Sequence, residues 1–122
     1  MLLDFNSEKP IYLQLAEAIE DDILKGIFEE DTQVPSTTEI SINLKINPAT
    51  AGKGINLLVD EGILYKKRGV GMFVCNGAKE TILKKRKEAF YNNFVLSLLE
   101  EASKLQISKE EIISMVERGQ GR

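Results

Sequence analysis

Apolar positions change their spacing twice along this chain of 122 residues. Ile11, Leu15, Ile19 and Ile23 recur every four residues, with Ala16 and Leu24 widening the stripe. That spacing predicts a helix opened by Pro10 and running to about Lys25, with Gly26 as its stop. Residues 1–9 read as an extended, partly tethered arm whose Leu2, Leu3 and Phe5 can dock on a neighbour. After a polar loop at 29–33, Ser36-Thr37-Thr38-Glu39 has the capping-box form. It opens a short helix with Ile40 and Leu44 inward, ending near Lys45. Asn47 then caps a further helix, Pro48 fits its first position and Gly62 ends it. Ala51, Ile55, Leu58 and Val59 share one face of that helix, and Ala49, Lys53, Asn56 and Asp60 point the other way. Two short helices joined by so tight a turn, the second capped and amphipathic, read as a helix-turn-helix.

Beyond Gly62 the period becomes strand-like. Residues 63–67 and 72–75 flank Arg68-Gly69-Val70-Gly71, a hairpin whose glycines permit positive φ. Lys66, Lys67 and Arg68 make its tip strongly basic, and a basic hairpin directly after a helix-turn-helix is the winged-helix arrangement. A long helix over about 80–105 follows, carrying Lys84-Lys85-Arg86-Lys87 early and then Phe90, Tyr91, Phe94, Val95, Leu98, Leu99 and Ala102 at spacings of three and four. Ser108-Lys109-Glu110-Glu111 caps a last short helix with Ile112, Ile113 and Val116 inward, and residues 118–122 are expected to fray. An apolar band this wide is not satisfied by one neighbouring helix. The tail is therefore expected to pair with a second copy through Phe90, Tyr91, Phe94, Val95, Leu98 and Leu99; packing on the first domain is the alternative. The expected fold is mainly α with a small β-hairpin: a winged helix-turn-helix domain over 1–76, then a C-terminal helical dimerisation region over 77–122.

Composition narrows the chemistry. An apolar share of 43% with 29% charged residues suits a soluble globular protein. No apolar run reaches the ~18 residues of a membrane span, and the N-terminus lacks the charge and apolar length of a signal peptide. The single cysteine, Cys75, cannot form an internal disulfide, which points to a reducing, cytoplasmic setting. The absence of histidine excludes histidine-dependent zinc sites and the usual catalytic triads, so neither metal nor cofactor is expected. The net charge of −3 conceals a division: residues 1–32 carry −7, residues 33–79 carry +3 and residues 80–122 carry +1. The helix-turn-helix and hairpin are thus locally basic, as a surface facing phosphates must be. Glu17, Glu20, Asp21 and Asp22 lie off the first helix's apolar stripe and read as a solvated face.

The outward face of the capped helix is small, polar and singly basic near its start, which lets its first turns press against a duplex. Gly69-Val70-Gly71 lies between strands, and Gly52-Lys53-Gly54 lies inside a helix, so neither makes a nucleotide-binding loop. Gly52 and Gly54 each cost the helix about 1 kcal/mol relative to alanine. They leave two alternatives open: a helix mobile until DNA orders it, or close packing.

Pro10-Ile11-Tyr12-Leu13-Gln14-Leu15, Val34-Pro35-Ser36, Ile46-Asn47-Pro48-Ala49-Thr50, Asp60-Glu61-Gly62-Ile63-Leu64 and Arg68-Gly69-Val70-Gly71-Met72-Phe73-Val74 occur in the order seen in bacterial GntR-family regulators. The resemblance covers roughly residues 10–75, and the short tail is similar to that of the YtrA-like branch, whose members dimerise through two helices. It implies a cytoplasmic, homodimeric transcriptional repressor on double-stranded DNA, often controlling transporter genes. Carried over position by position, it puts Asn47, Ala49, Thr50 and Lys53 at the duplex. Ser36 and Thr37 would bring the preceding helix to the backbone, and Lys67, Arg68, Gly69 and Gly71 would form the wing contact. Three positions depart from the family: Thr38 stands where an arginine commonly grips DNA, and Asp31 and Gln106 replace glycines. A small-molecule effector could bind between helices of a dimer, with Phe90, Tyr91 and Phe94 as lining, and Cys75 could act as a redox switch. The alternative classes are a winged-helix protein-interaction module without DNA binding, and an enzyme, for which no nucleophile–base pair or metal set is present.

Overall fold

The computed structural model describes residues 1–121. It divides into two compact units, Met1–Lys84 and Lys85–Arg122. The division falls later than the expected boundary at 76/77 because Ala78 and Ile82, on the first turns of the fourth helix, are fully buried in the first unit's core.

Helix α1 spans Ile11–Leu24, with Pro10 at its N-cap and Gly26 just beyond it at φ +81°. Strand β1 is Gln33–Val34, α2 is Thr37–Leu44 and α3 is Pro48–Asp60. Strands β2 (Leu64–Lys67) and β3 (Gly71–Val74) form the hairpin. The sheet has three antiparallel strands in the order β1-β3-β2, with Gln33 opposite Phe73 and Val34 opposite Met72. The hairpin alone was expected; a strand of two residues is too short to show alternation, and β1 forms because Val34 buries its side chain under β3.

The anticipated caps organise the helix-turn-helix. The Ser36 hydroxyl accepts from the Glu39 N–H at 3.1 Å, and the Glu39 carboxylate accepts from the Ser36 N–H at 3.1 Å. Lys45 closes α2 in the left-handed region, and the Ser41 hydroxyl, buried in the turn, donates to the Ile46 carbonyl at 2.8 Å. Asn47 Oδ1 accepts from the Ala49 N–H at 2.7 Å. Helix α3 packs on both α1 and α2, through Ala51, Ile55 and Leu58 against a core that includes Leu15, Ile19 and Ile40.

Gly54 settles one of the open alternatives. A Cβ there would lie 2.8 Å from the Tyr12 carbonyl oxygen and 3.2 Å from Leu15 Cδ2, so the missing side chain lets α3 close on α1. Gly52 has only Thr37 Cγ2 nearby, at 4.0 Å.

The expected solvated face of α1 changes, and the arm is tethered as expected but turns at residues 5–9 instead of running extended. Glu20 is 1% exposed, not solvated, and Glu17, expected to lack a cationic partner, is exposed but accepts from Lys9 Nζ at 2.8 Å; Asp21 and Asp22 are half-buried. Burial follows from position: Glu20 sits beside Ile19 on the edge of a stripe broad enough to cover it. The arm is tied down, with the Asp4 N–H donating to Gln14 Oε1 at 2.7 Å and Gln14 Nε2 donating to the Asp4 and Lys9 carbonyls at 2.9 Å each.

The expected single helix over 80–105, which starts in the first unit and runs into the second, begins earlier and changes type. Helix α4 is Ala78–Phe90, a π-helical turn spans Tyr91–Val95, and α5 is Leu96–Lys104. Helix α6, Lys109–Gln120, is capped by Ser108 and Glu111 as expected. Residues 118–120 were expected to fray and are instead helical; Arg122 lies outside the described residues. Ile113 and Val116, expected inward, are exposed, because α5 and α6 alone cannot cover them.

Candidate nucleic-acid interface

Three elements of the first unit assemble one polar, cationic surface: the start of α2, the outward face of α3 and the β2–β3 turn. On α3, Asn47, Ala49, Lys53 and Asn56 are exposed and Thr50 is half-buried. With Oδ1 committed to its own helix, Asn47 keeps its amide Nδ2 for an outside acceptor. The Lys53 ammonium lies 4.1 Å from the centroid of the Tyr12 ring, so an aromatic on α1 fixes the direction of the cation on α3. Tyr12, Ala49, Gly52, Lys53, Asn56 and Asp60 are among the residues around an open cleft of about 590 Å³ along this face.

The turn between β2 and β3 is closed by the Val70 N–H donating to the Lys67 carbonyl at 2.9 Å, with Arg68 and Gly69 central and Gly69 at φ +77°. At Gly71 (φ +148°) the Gln33 side-chain amide takes up the space a Cβ would occupy. Gln33 Nε2 in turn donates to the Val70 carbonyl at 3.0 Å, so β1 braces the turn from the side. Strand alternation separates the two lysines of β2. Lys66 pairs with Met72 and lines a groove of about 330 Å³ with Ser36, Thr37, Thr38, Asn56 and Gly71. Lys67 lies on the opposite face, its ammonium 4.4 Å from the centroid of Phe73, which itself stacks on Tyr65 at 5.7 Å.

The structure therefore brings Ser36, Thr37, Asn47, Ala49, Thr50, Lys53 and Gly71 onto the α2–α3 surface and its groove, with Arg68 and Gly69 exposed at the wing tip; Lys67 sits behind the wing. Tyr12 and Gln33 were missed. A tyrosine on a helix and a glutamine in a loop carry no signal until the fold sets them against Lys53 and Val70. Lys66 and Lys67 are adjacent and alike in the sequence, and only the register of β2 against β3 shows which of them meets the groove.

The surroundings of Cys75 do not activate its thiol. Burial, and then the Asp31 charge, push its thiol above the usual cysteine range, away from the reactive thiolate. Among the described residues no cluster of acidic or cysteine side chains is placed to hold a metal, and no helix is long and apolar enough to cross a membrane.

A family description, "Bacterial regulatory proteins, gntR family", matches residues 11–74, the stretch from the start of α1 to the end of β3. The chain belongs to the gntR family. Its relatives are transcription regulators, not enzymes. In Bacillus subtilis it is 36% identical over 73 residues to the uncharacterized HTH-type transcriptional regulator YurK, matching 60% of this chain and 30% of that protein. It is 33% identical over 81 residues to the transcriptional repressor YtrA of the same organism, covering 68% and 62% respectively. The chain thus spans less than two thirds of the length of either. A solved gntR-family regulator from Bacteroides thetaiotaomicron superposes with a TM-score of 0.81 at 38% identity, over 92% of this chain and 97% of that one. The DNA-binding domain of AraR, solved in complex with operator ORX1, matches with a TM-score of 0.55 at 31% identity, over 62% of this chain and 93% of that one. The gntR assignment makes this chain a DNA-binding transcription regulator.

Proposed function

We propose that this chain is a homodimeric repressor that binds a pseudo-palindromic operator, each copy setting α3 in one major groove with half-site centres about one turn, ~34 Å, apart. The observation that carries the reading is the outward face of α3. Ala49 keeps the first turns thin, the caps lock the helix start, and Lys53 is held in one direction by Tyr12. Asn47, Thr50 and Lys53 contact the duplex from α3, Ser36 and Thr37 bring the start of α2 to the backbone, and Arg68, with Gly69 and Gly71 permitting close approach, follows the phosphates from the wing. Most of the affinity is phosphate neutralisation.

Dimerisation through the tail is supported by what the second unit leaves uncovered. Phe90, Tyr91, Phe94, Leu98 and Leu99 are exposed and Val95 is half-buried. A small-molecule effector would fit the apolar cleft of about 400 Å³ between Leu98, Ala102, Leu105, Ile112 and Met115 better than Phe90, Tyr91 and Phe94, which do not line it.

Footprinting of the region upstream of the gene tests the reading. Two protected patches one helical turn apart are expected, and Lys53→Ala or Arg68→Ala should each weaken binding and lower the salt slope by ~1. Protection of one patch only, or affinity unmoved by both substitutions, would reject it.

A further inference from the structure

We infer that Lys66, not its neighbour Lys67, is the wing's phosphate-binding lysine. It holds a backbone phosphodiester in the groove between α2, α3 and β2, together with the hydroxyls of Thr37 and Thr38. This rests on the DNA-binding reading above and adds to it a contact site and a division of labour between adjacent lysines. The register opposes Lys66 to Met72 and Tyr65 to Phe73, so β2 sends its side chains to opposite faces in turn. Leu64 occupies the buried face, and Lys66, two residues on, emerges from that same face where the core ends and the groove begins. Lys67 goes the other way, onto Phe73.

Chemistry separates the two cations as sharply as geometry does. The groove residues include hydroxyls, an amide and one cation, Lys66, and none of them is acidic. Among the described residues the Lys66 ammonium and the Thr37 and Thr38 hydroxyls have no hydrogen-bond or ionic partner, so all three are available to an incoming oxygen. The Lys67 ammonium lies over Phe73 on the other face of the hairpin and does not line the groove. A phosphodiester offers one negative charge and acceptor oxygens, which is what one ammonium and two hydroxyls take. Position 38 faces the same groove as Lys66, so a cation could be supplied there from either wall.

The test is a salt series on the full-length protein and a fluorescein-labelled duplex of the sequence immediately upstream of its gene. Wild type should bind with a steep dependence of log K on log salt. Lys66→Gln should lower that slope by ~0.9, the loss of one phosphate. Lys66→Arg should keep the slope, and Lys67→Gln should leave it unchanged. Thr38→Arg added to Lys66→Gln should restore the slope from the opposite wall. An unchanged slope for Lys66→Gln, or a drop for Lys67→Gln as large as that expected for Lys66→Gln, overturns the inference while leaving DNA binding intact. No salt-sensitive binding by wild type would reject the DNA-binding reading itself. Equal thermal midpoints of the variants exclude misfolding as the cause of a lost slope.

Discussion

The two units of this chain spend their apolar residues in opposite ways. In Met1–Lys84, Leu15, Ile19, Ile23, Leu58, Ile63, Val74 and Ile82 are all fully buried, and the surface left over is polar and cationic around α3 and the wing. In the unit from Lys85 on, Ala102 is the one buried hydrophobic among the described residues, while Phe90, Phe94, Leu98, Leu105 and Val116 are exposed. A helix that buries a stripe needs a partner for it, and α3 is that partner for both α1 and α2. The π-turn and α5–α6 have none of comparable size. The first unit buries most of its large aliphatic side chains, apart from a few such as Ile27, Ile42 and Val70, and the second leaves most of its own exposed.

Core truncation should break this contrast hardest. Leu58→Ala removes a completely buried side chain from the α1–α3 junction and should cost 2–5 kcal/mol, estimated as roughly that range for such sites, read from urea unfolding. Leu98 is 45% exposed, so Leu98→Asp should hardly move the unfolding of an isolated copy. It should instead weaken self-association by about 2 kcal/mol or more, ~30-fold in Kd, measured by sedimentation equilibrium. A wild-type chain that stays monomeric at all concentrations would show that the exposed band is not a dimer surface.

Glycine substitutions probe how tightly each element is packed. Gly54→Ala gains roughly 1 kcal/mol of helix propensity, but forces a carbon against the Tyr12 backbone oxygen at 2.8 Å. Because a backbone atom cannot swing aside, the overpacking term of about 1–3 kcal/mol wins and the variant should melt lower. Gly52→Ala meets nothing closer than 4.0 Å and should melt higher, by up to ~1 kcal/mol. Equal melting of the two variants would contradict the close approach of α1 and α3.

The reverse exchange compares the units directly. Asp31, in the first, and Gln106, in the second, hold φ of +64° and +58°, a region that disfavours side chains by roughly 1–2 kcal/mol. Gln106→Gly sheds that strain and, among the described residues, loses no side-chain partner, so a gain of up to ~1 kcal/mol is expected. Asp31→Gly also discards the bond from Asn76 Nδ2 to its carboxylate at 3.1 Å, and should come out near zero. Thermal midpoints of the two variants check the ordering.

What was legible in the sequence followed from chemistry local to a few residues. Pro10, Ser36 with Glu39, Asn47 with Pro48, Gly62 and Ser108 with Glu111 marked the element ends, because a cap is decided by neighbours within four positions. The apolar stripe of α3 predicted its buried face for the same reason. Features that depend on distant chain stayed hidden. Strand β1 exists only because β3 is beside it, Glu20 is buried by packing that its own helix does not announce, and Gly54 is explained by the Tyr12 backbone. The site was legible in outline and not in orientation: consecutive lysines 66 and 67 look equivalent in a string of letters, and only the pairing register sends them to opposite faces.

The loop before β1 supplies the smallest effect and the one with a definite sign in pH. The Glu30 carboxylate accepts from the Gly77 N–H at 3.0 Å and the Lys79 N–H at 3.1 Å, donors at the start of α4 that the helix itself cannot satisfy. Those two bonds, Gly77 first, hold its acid dissociation below the usual glutamate range, with the Lys79 charge adding a smaller share. A carboxylate that ionises more readily when folded stabilises the fold fully above its unfolded pKa, and that contribution fades as pH falls through the lowered folded value. Glu30→Gln replaces one acceptor oxygen by a donor, so it should melt below wild type near neutrality, with the gap closing as the solution is acidified. Melting curves of both proteins over an acid pH series decide it. A gap that stays constant across the series would mean that Glu30 acts by its shape alone, and that the start of α4 is held by something other than its charge.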